Sequence, residues 1–133
     1  MIYFDTNIFV YPHTGNDAVS GACIKLLEKA MSEEIKACTS IITWDEFQYA
    51  LKKKFHDREK AVELSKDFLA MPNIIFLEAN KEIIESAQKI TEKYNIAPRD
   101  AIHAATAIIN GIKEIISDDP DFDKITELKR IKI

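Results

Sequence analysis

Residues 98–121 read PRDAIHAATAIINGIKEIISDDPD, and this stretch decides the fold. Pro98 suits the first position of a helix, where a missing N–H costs nothing. After the first turn the run Ala101, Ile102, Ala104, Ala105, Ala107, Ile108, Ile109 is apolar almost all the way round, which marks a helix buried on most sides. Gly111 ends it, Glu114 to Ser117 reads as a β-strand, and Asp118 to Asp123 as an acidic loop. A buried helix feeding a short strand is the unit of an α/β sandwich.

The same alternation extends outward in both directions. Ile2-Tyr3-Phe4 is a short β-prone run that ends at Asp5-Thr6-Asn7, polar residues suited to a loop or a helix start. From Asp17 to about Met31 the apolar residues Val19, Ala22, Cys23, Leu26, Leu27 and Ala30 recur at three- and four-residue steps, one face of a helix. Ile35 to Thr39 reads as a second strand. Ser40 or Thr43 then opens a helix through Leu51 that closes in Lys52-Lys53-Lys54, cations that complement the helix dipole. Asp57 caps a further helix that stops before Pro72, Asn73 to Leu77 is a third strand, and Lys81 to Tyr94 a helix with Ile83, Ile84, Ala87 and Ile90 on one face. Arg130 to Ile133 makes a short fifth edge strand. The predicted fold class is α/β, a three-layer α/β/α sandwich around a mainly parallel sheet of about four to five strands.

With 133 residues and 47% hydrophobic content, the expectation is a single domain, 1–133, with a real core. No apolar run approaches the roughly 20 residues that span a bilayer. The opening MIYFD lacks the features of a signal peptide, so a soluble, cytoplasmic protein is expected. Cys23 and Cys38 have no Cys-x-x-Cys or Cys/His partner pattern and are expected to be separate thiols. The net charge of −4 argues against a basic, sequence-blind nucleic-acid binder.

The acids fall at telling places on this map. Asp5 follows the first strand, and Asp119 and Asp121 follow the fourth. Asp100 stands in the first turn of the buried helix and Glu46 in the first turns of the helix after the second strand. Ligands of open parallel sheets bind beyond the carboxyl ends of the strands, near helix N-termini. Four separate stretches thus aim carboxylates at one edge of the fold. Taken singly, each has an ordinary structural role as a cap, a dipole partner, a solvated helix residue or an acidic turn; the convergence carries the reading. Such a cluster is costly without cations. Hard oxygen donors in this number suit Mg²⁺ or Mn²⁺, one or two ions, which activate water and steady phosphodiester displacement.

Four segments, YFDTNIFVY, SIITWDEF, PRDAIHAATAI and ISDDPDFDKI, resemble the PIN domain, and most of all the small VapC-type toxins of toxin–antitoxin pairs. The resemblance spans nearly the whole chain. It implies a metal-dependent endoribonuclease whose catalytic metal ligands are Asp5, Glu46, Asp100 and Asp119, with Asp121 as an additional acid and Thr6 or Ser117 as a hydroxyl tuning the ligands. Asn7 fits the family's polar third residue, expected to hold Asp5. Asp118 competes with Asp119 for the last ligand position; the spacing Ser117-x-Asp119-x-Asp121-Phe122 favours Asp119. The resemblance further implies RNA as substrate, cleavage to 5′-phosphate and 3′-hydroxyl ends, a homodimer and a cognate antitoxin. A nuclease of RNA maturation or turnover, and a non-catalytic binding module on the same fold, are the alternatives. A phosphoacceptor of the response-regulator kind needs paired acids after the first strand and a Lys after the fifth, and the chain offers neither.

Among the remaining residues, Arg99 can face an RNA phosphate or form a surface ion pair. Lys52, Lys53, Lys54, Arg58 and Lys60 are read as a solvated helix end, and His13 and His56 as surface residues. His103, one helical turn from Asp100, is expected in the core beside the site rather than as a ligand. Trp44 and Phe47 are read as core residues that can alternatively line a groove.

Overall fold

The computed structural model describes residues 1–15 and 17–133. Five strands form one sheet: β1 (Ile2–Phe4), β2 (Ala37–Ser40), β3 (Ile74–Leu77), β4 (Glu114–Ile116) and β5 (Lys129–Ile131). Six α-helices connect them: α1 (Thr6–Thr14), α2 (Ala18–Met31), α3 (Thr43–Phe55), α4 (Arg58–Leu69), α5 (Lys81–Lys93) and α6 (Pro98–Ile109). The spatial order is β3-β2-β1-β4-β5 and every pairing is parallel.

Alternation along the strands divides the core into two layers, because successive side chains of a strand point to opposite faces. Tyr3, Cys38 and Ile115 pack with α5 and α6 through Ile83, Ala87, Ala101, Ala104 and Ala105. Phe4, Ala37, Ile74 and Ile116 pack on the other side with α1 to α4, through Phe9, Leu27, Phe47, Leu51 and Phe68. The expected three-layer sandwich is therefore what forms. The small Ala side chains of α6 let that helix lie close to the sheet, and none of its inward alanines is accessible to solvent.

The chain leaves β1 toward β2 and β3, then returns to place β4 on the opposite side of β1. The crevice between the ends of β1 and β4 is thus the point where strand order reverses, the usual ligand site of an open parallel sheet. Phe4 pairs with Ile116, and the Asp5 amide donates to the Ile116 carbonyl at 3.1 Å. Asp5 and Ser117 consequently leave the sheet side by side.

Several boundaries differ from the sequence reading. The stretch after Asp5 is a complete helix, α1, despite Pro12. Ile8, Phe9 and Val10 are all buried, so their run has no amphipathic period, and the helix is set by the Asp5 cap and by contact with α2 and α3. The acidic loop contains a 3₁₀ turn, Pro120–Lys124, opened by Pro at its first position. Of the two proposed starts for α3, Thr43 is the one that occurs. Strand β5 begins at Lys129, one residue earlier than expected. Phe47 is core, whereas Trp44 is 40% exposed. His13 is half-buried, edge-on to Phe47 at 5.7 Å between ring centroids, rather than a plain surface residue. Both cysteines are free and buried. Among the described residues no helix is long and apolar enough to cross a membrane.

Phe68 meets Phe9, Phe47 and Phe76 at centroid distances of 5.0, 4.9 and 5.2 Å and is the hub of the α1–α4 layer. Phe68→Ala is expected to cost about 3–5 kcal/mol, the range for emptying a buried aromatic site, measured by urea unfolding. A loss below about 1 kcal/mol would show that this layer is not packed as described.

Candidate metal centre

The site is assembled at the crevice from five parts of the chain. Asp5 caps α1, accepting from the Thr6 amide at 2.8 Å, and its other oxygen accepts the Ser117 hydroxyl at 2.5 Å. Glu46, in the first turn of α3, accepts the Thr6 hydroxyl at 3.1 Å and is bound by His103 Nε2 through the same oxygen, Oε1. Asp100 projects from the first turn of α6. Asp119 and Asp121 come from the turn after β4, where the Asp119 amide donates to Ser117 Oγ at 3.0 Å and the Asp121 amide to Asp119 Oδ1 at 2.9 Å. Arg130 secures this turn, donating to both oxygens of Asp123 at 3.0 and 2.9 Å and to the Ser117 carbonyl at 3.1 Å.

Asp5, Glu46, Asp100 and Asp119 all line one open cleft of about 340 Å³, together with Thr6, Asn7, Tyr11, Tyr49 and Arg99. Carboxylate oxygens of Asp100, Asp119 and Asp121 lie within 4.8 Å of one another. Asp118 instead accepts from the Tyr11 hydroxyl at 3.3 Å. Between the two neighbouring acids, Asp119 is the one the fold turns into the cluster.

The electrostatics are those of crowded like charges. Burial, reinforced by the charges of Asp119 and Asp5, pushes the Asp100 carboxyl up to about 7. Burial also raises Asp5, against the opposing pull of His103 and Ser117. Glu46 goes the other way: burial would raise it, but the His103 contact, the Thr6 hydroxyl and Arg99 together hold it below the ordinary value. For His103 itself, burial pulls down while Glu46, Asp5 and Asp100 pull up, and the acids prevail.

One site residue, Asn7, behaves differently from expectation. Asn7 does not hold Asp5, whose partners are the Thr6 amide and Ser117; its own Oδ1 is buried without a hydrogen-bond partner beside the cleft. Thr6 and Ser117 are both engaged, one on Glu46 and the other on Asp5. Arg99 pairs with Asp45 at 3.6 Å and sits 6.0 Å from the Tyr49 ring centroid, so it has the surface ion pair and still lines the cleft. Sequence reading did not single out Tyr3, whose hydroxyl is 2.6 Å from His103 Nδ1, nor Arg130. Nothing in the spacing of residues 100 apart signals the first contact. A lone Arg in an edge strand after an acidic loop was the available hint for the second.

The donor set is oxygen-only and clustered, which suits a hard divalent cation. An unpartnered buried acceptor at Asn7 and a carboxyl raised to about 7 are the marks of a site whose charges are incompletely answered by the protein.

Residues 2–128 match the family model of the PIN domain. The chain belongs to the PIN domain family. Over 143 aligned residues it is 29% identical to Ribonuclease VapC2 of Methanocaldococcus jannaschii, covering 99% of this chain and 93% of that protein. In structure this PIN domain resembles a chain of a toxin–antitoxin complex from Klebsiella pneumoniae, with a TM-score of 0.69, 23% identity and coverage of 96% and 95%. It also resembles VapC20 of Mycobacterium tuberculosis, a toxin that cleaves the sarcin–ricin loop, with a TM-score of 0.75, 16% identity and coverage of 92% and 93%. The VapC-type resemblance seen in the sequence thus extends over the chain.

The raised Asp100 carboxyl has a stability consequence with a definite sign. In the unfolded chain it ionises near 3.8, in the folded protein near 7, so the penalty is absent at low pH and complete above 7. Without metal, Asp100→Asn is expected to stabilise the protein by on the order of 1 kcal/mol at pH 8, screening by solvent included, with the gain shrinking toward pH 4. Thermal unfolding across that range in EDTA measures it. A variant less stable than wild type at pH 8 would contradict the crowding described.

Proposed function

We propose that this PIN domain is a divalent-metal-dependent endoribonuclease that acts as the toxin of a type II toxin–antitoxin pair. The observation that carries the reading is the shared cleft of Asp5, Glu46, Asp100 and Asp119, four acids from four stretches of chain. The ribonuclease name of the 29% identical relative supports the activity, and the toxin–antitoxin assembly of a structural neighbour supports an antitoxin partner. A homodimer belongs to the same reading, as do Mg²⁺ or Mn²⁺ as the cation and a cytoplasmic location.

Asp5, Glu46, Asp100 and Asp119 would hold the cation, with Asp121 as a further donor. When bound, the ion supplies Lewis-acid chemistry, lowering the pKa of water to near neutrality and offsetting phosphate charge. The protein's own contribution is placement. Ser117 and the Thr6 amide fix both oxygens of Asp5, and Thr6 with His103 fixes one oxygen of Glu46. Arg130 holds the turn that delivers Asp119 and Asp121. Arg99 stands at the mouth, where a guanidinium can meet a phosphate bidentately. Tyr49, 58% exposed, links the acid cleft to a groove lined by Trp44, Asp45, Gln48 and Lys52. This margin with its exposed aromatic rings is suited to unpaired nucleotides, whose bases stack on such rings.

Purified, antitoxin-free protein is expected to cut a mixed pool of structured and unstructured RNAs with Mg²⁺ or Mn²⁺ and to stop in EDTA. Asp5→Asn and Asp100→Asn are each expected to lower the rate by about 100-fold or more, the scale on which one charge-stabilising group acts in a catalytic site. Undiminished cleavage by both folded variants would refute the assignment of the acids. An absence of cleavage by folded wild type under every metal would refute general endoribonuclease activity on this pool.

A further inference from the structure

His103 is fully buried, yet both of its ring nitrogens are engaged. Nδ1 lies 2.6 Å from the Tyr3 hydroxyl, and that hydroxyl accepts the Ser40 amide at 2.9 Å. Nε2 binds Glu46 Oε1 and lies 3.3 Å from Thr6 Oγ1 and 3.9 Å from Asp5 Oδ1. The partners order the protons. An amide N–H can only donate and a carboxylate can only accept. Ser40 N–H therefore donates to the Tyr3 oxygen and Nε2–H to Glu46, while the contact between the Tyr3 hydroxyl and Nδ1 runs from O–H to Nδ1 on a neutral ring and from Nδ1–H to the hydroxyl oxygen on a charged one. The Tyr3 ring is core, edge-on to the imidazole at 5.7 Å, and among the described residues its hydroxyl meets only the Ser40 amide and His103.

We propose that Tyr3 and His103 are positioning residues that hold Glu46 for the cation. The pair passes the rigidity of the sheet, through the β1 side chain and the amide at the end of β2, into the first turn of α3. Oε1 of Glu46 is thereby occupied by two donors, Thr6 and His103, and Oε2 is left as the oxygen offered to the cleft. This is the inverse of the familiar metal-bound histidine oriented by a carboxylate: here the histidine orients the carboxylate. Within one turn, α6 supplies a ligand, Asp100, and the residue that positions another, His103. The inference rests on the metal-site reading given under Proposed function.

The test has two arms, both on protein shown to fold by thermal melting. In the first, long-range ¹H–¹⁵N correlation on the metal-free wild type reads which ring nitrogen of His103 carries hydrogen. Hydrogen on Nε2, donated to Glu46, is the expected result, whether Nδ1 accepts from Tyr3 or also carries hydrogen. A neutral ring protonated at Nδ1, with Nε2 bare, would overturn the proposal.

In the second arm, Mn²⁺ affinity is measured by calorimetry for His103→Leu, His103→Gln, His103→Asn and Tyr3→Phe. Leu keeps bulk but donates nothing, and is expected to weaken Mn²⁺ binding about 10-fold or more, the range for losing a partner of a metal ligand. Gln places an N–H₂ where Nε2 stood and should recover most of the affinity, whereas Asn, too short to reach Glu46, should not. Tyr3→Phe removes the anchor and should weaken binding less than Leu does. If Leu disrupts the core, the Gln and Asn pair decides. Equal affinities across the set, with only melting temperature changed, would reduce His103 to packing and overturn the proposal. A wild type that binds no Mn²⁺ would overturn the metal-site reading instead, and the ring-nitrogen measurement then judges the positioning alone.

Discussion

Repulsion among carboxylates is the constraint around which this PIN domain is arranged. Asp5, Glu46, Asp100 and Asp119 share a single cleft at the point where strand order reverses, and Asp121 stands close by. Charges gathered this way destabilise a fold unless something answers them. The protein answers only in part. Hydroxyls of Thr6 and Ser117, the Thr6 amide and the Arg99 guanidinium each relieve one acid, and the His103 ring relieves Asp5, Glu46 and Asp100. Asp100 is left with a carboxyl near 7. On the metal-site reading proposed above, that uncompensated carboxyl leaves a place for positive charge, the tension between stability and function expected of a binding site.

That cluster is held by a sheet stitched along one edge. Thr39 donates to the Phe4 carbonyl at 2.8 Å and lies 2.7 Å from the Thr43 hydroxyl, so β1, β2 and the start of α3 share one buried connection. Tyr3 and Ser40 add a second. On the opposite flank, Arg130 of β5 fastens the turn after β4. Asp5 follows β1 directly, Glu46 and Asp100 stand in the first turns of α3 and α6, and Asp119 caps the 3₁₀ turn three residues after β4, so each acid is mounted where the backbone has little freedom. Rigid mounting of this kind lets a site keep its geometry while its charges repel.

Much of this is legible in the sequence. Strands and helices alternated in the chain, the apolar helix at 98–109 announced burial, and each acid could be placed at a strand end or a helix start. Those signals are local, and local signals survive in sequence. Of helix α1 the sequence offers only a start at Asp5-Thr6-Asn7, with a loop as the alternative, because Ile8, Phe9 and Val10 are buried together and Pro12 follows, a pattern without helical period. The Tyr3–His103 and His103–Glu46 contacts join residues 100 and 57 positions apart, and only the fold brings them together. Asn7 shows the limit of analogy: the amide adjoins the cleft as expected, but Asp5 has other partners. Trp44 and Phe47, three residues apart and so on neighbouring positions of one helix face, divided between surface and core, which their spacing alone does not foretell.

The central claim, that the acidic cleft exists to hold a divalent cation, is met most directly by anomalous diffraction from crystals soaked in MnCl₂. The account predicts manganese density in the cleft, in contact with Asp100 and Asp119 and with at least one of Asp5 and Glu46. Strong manganese sites elsewhere on the protein with none in the cleft, at neutral pH and with the cleft open to solvent, would contradict it.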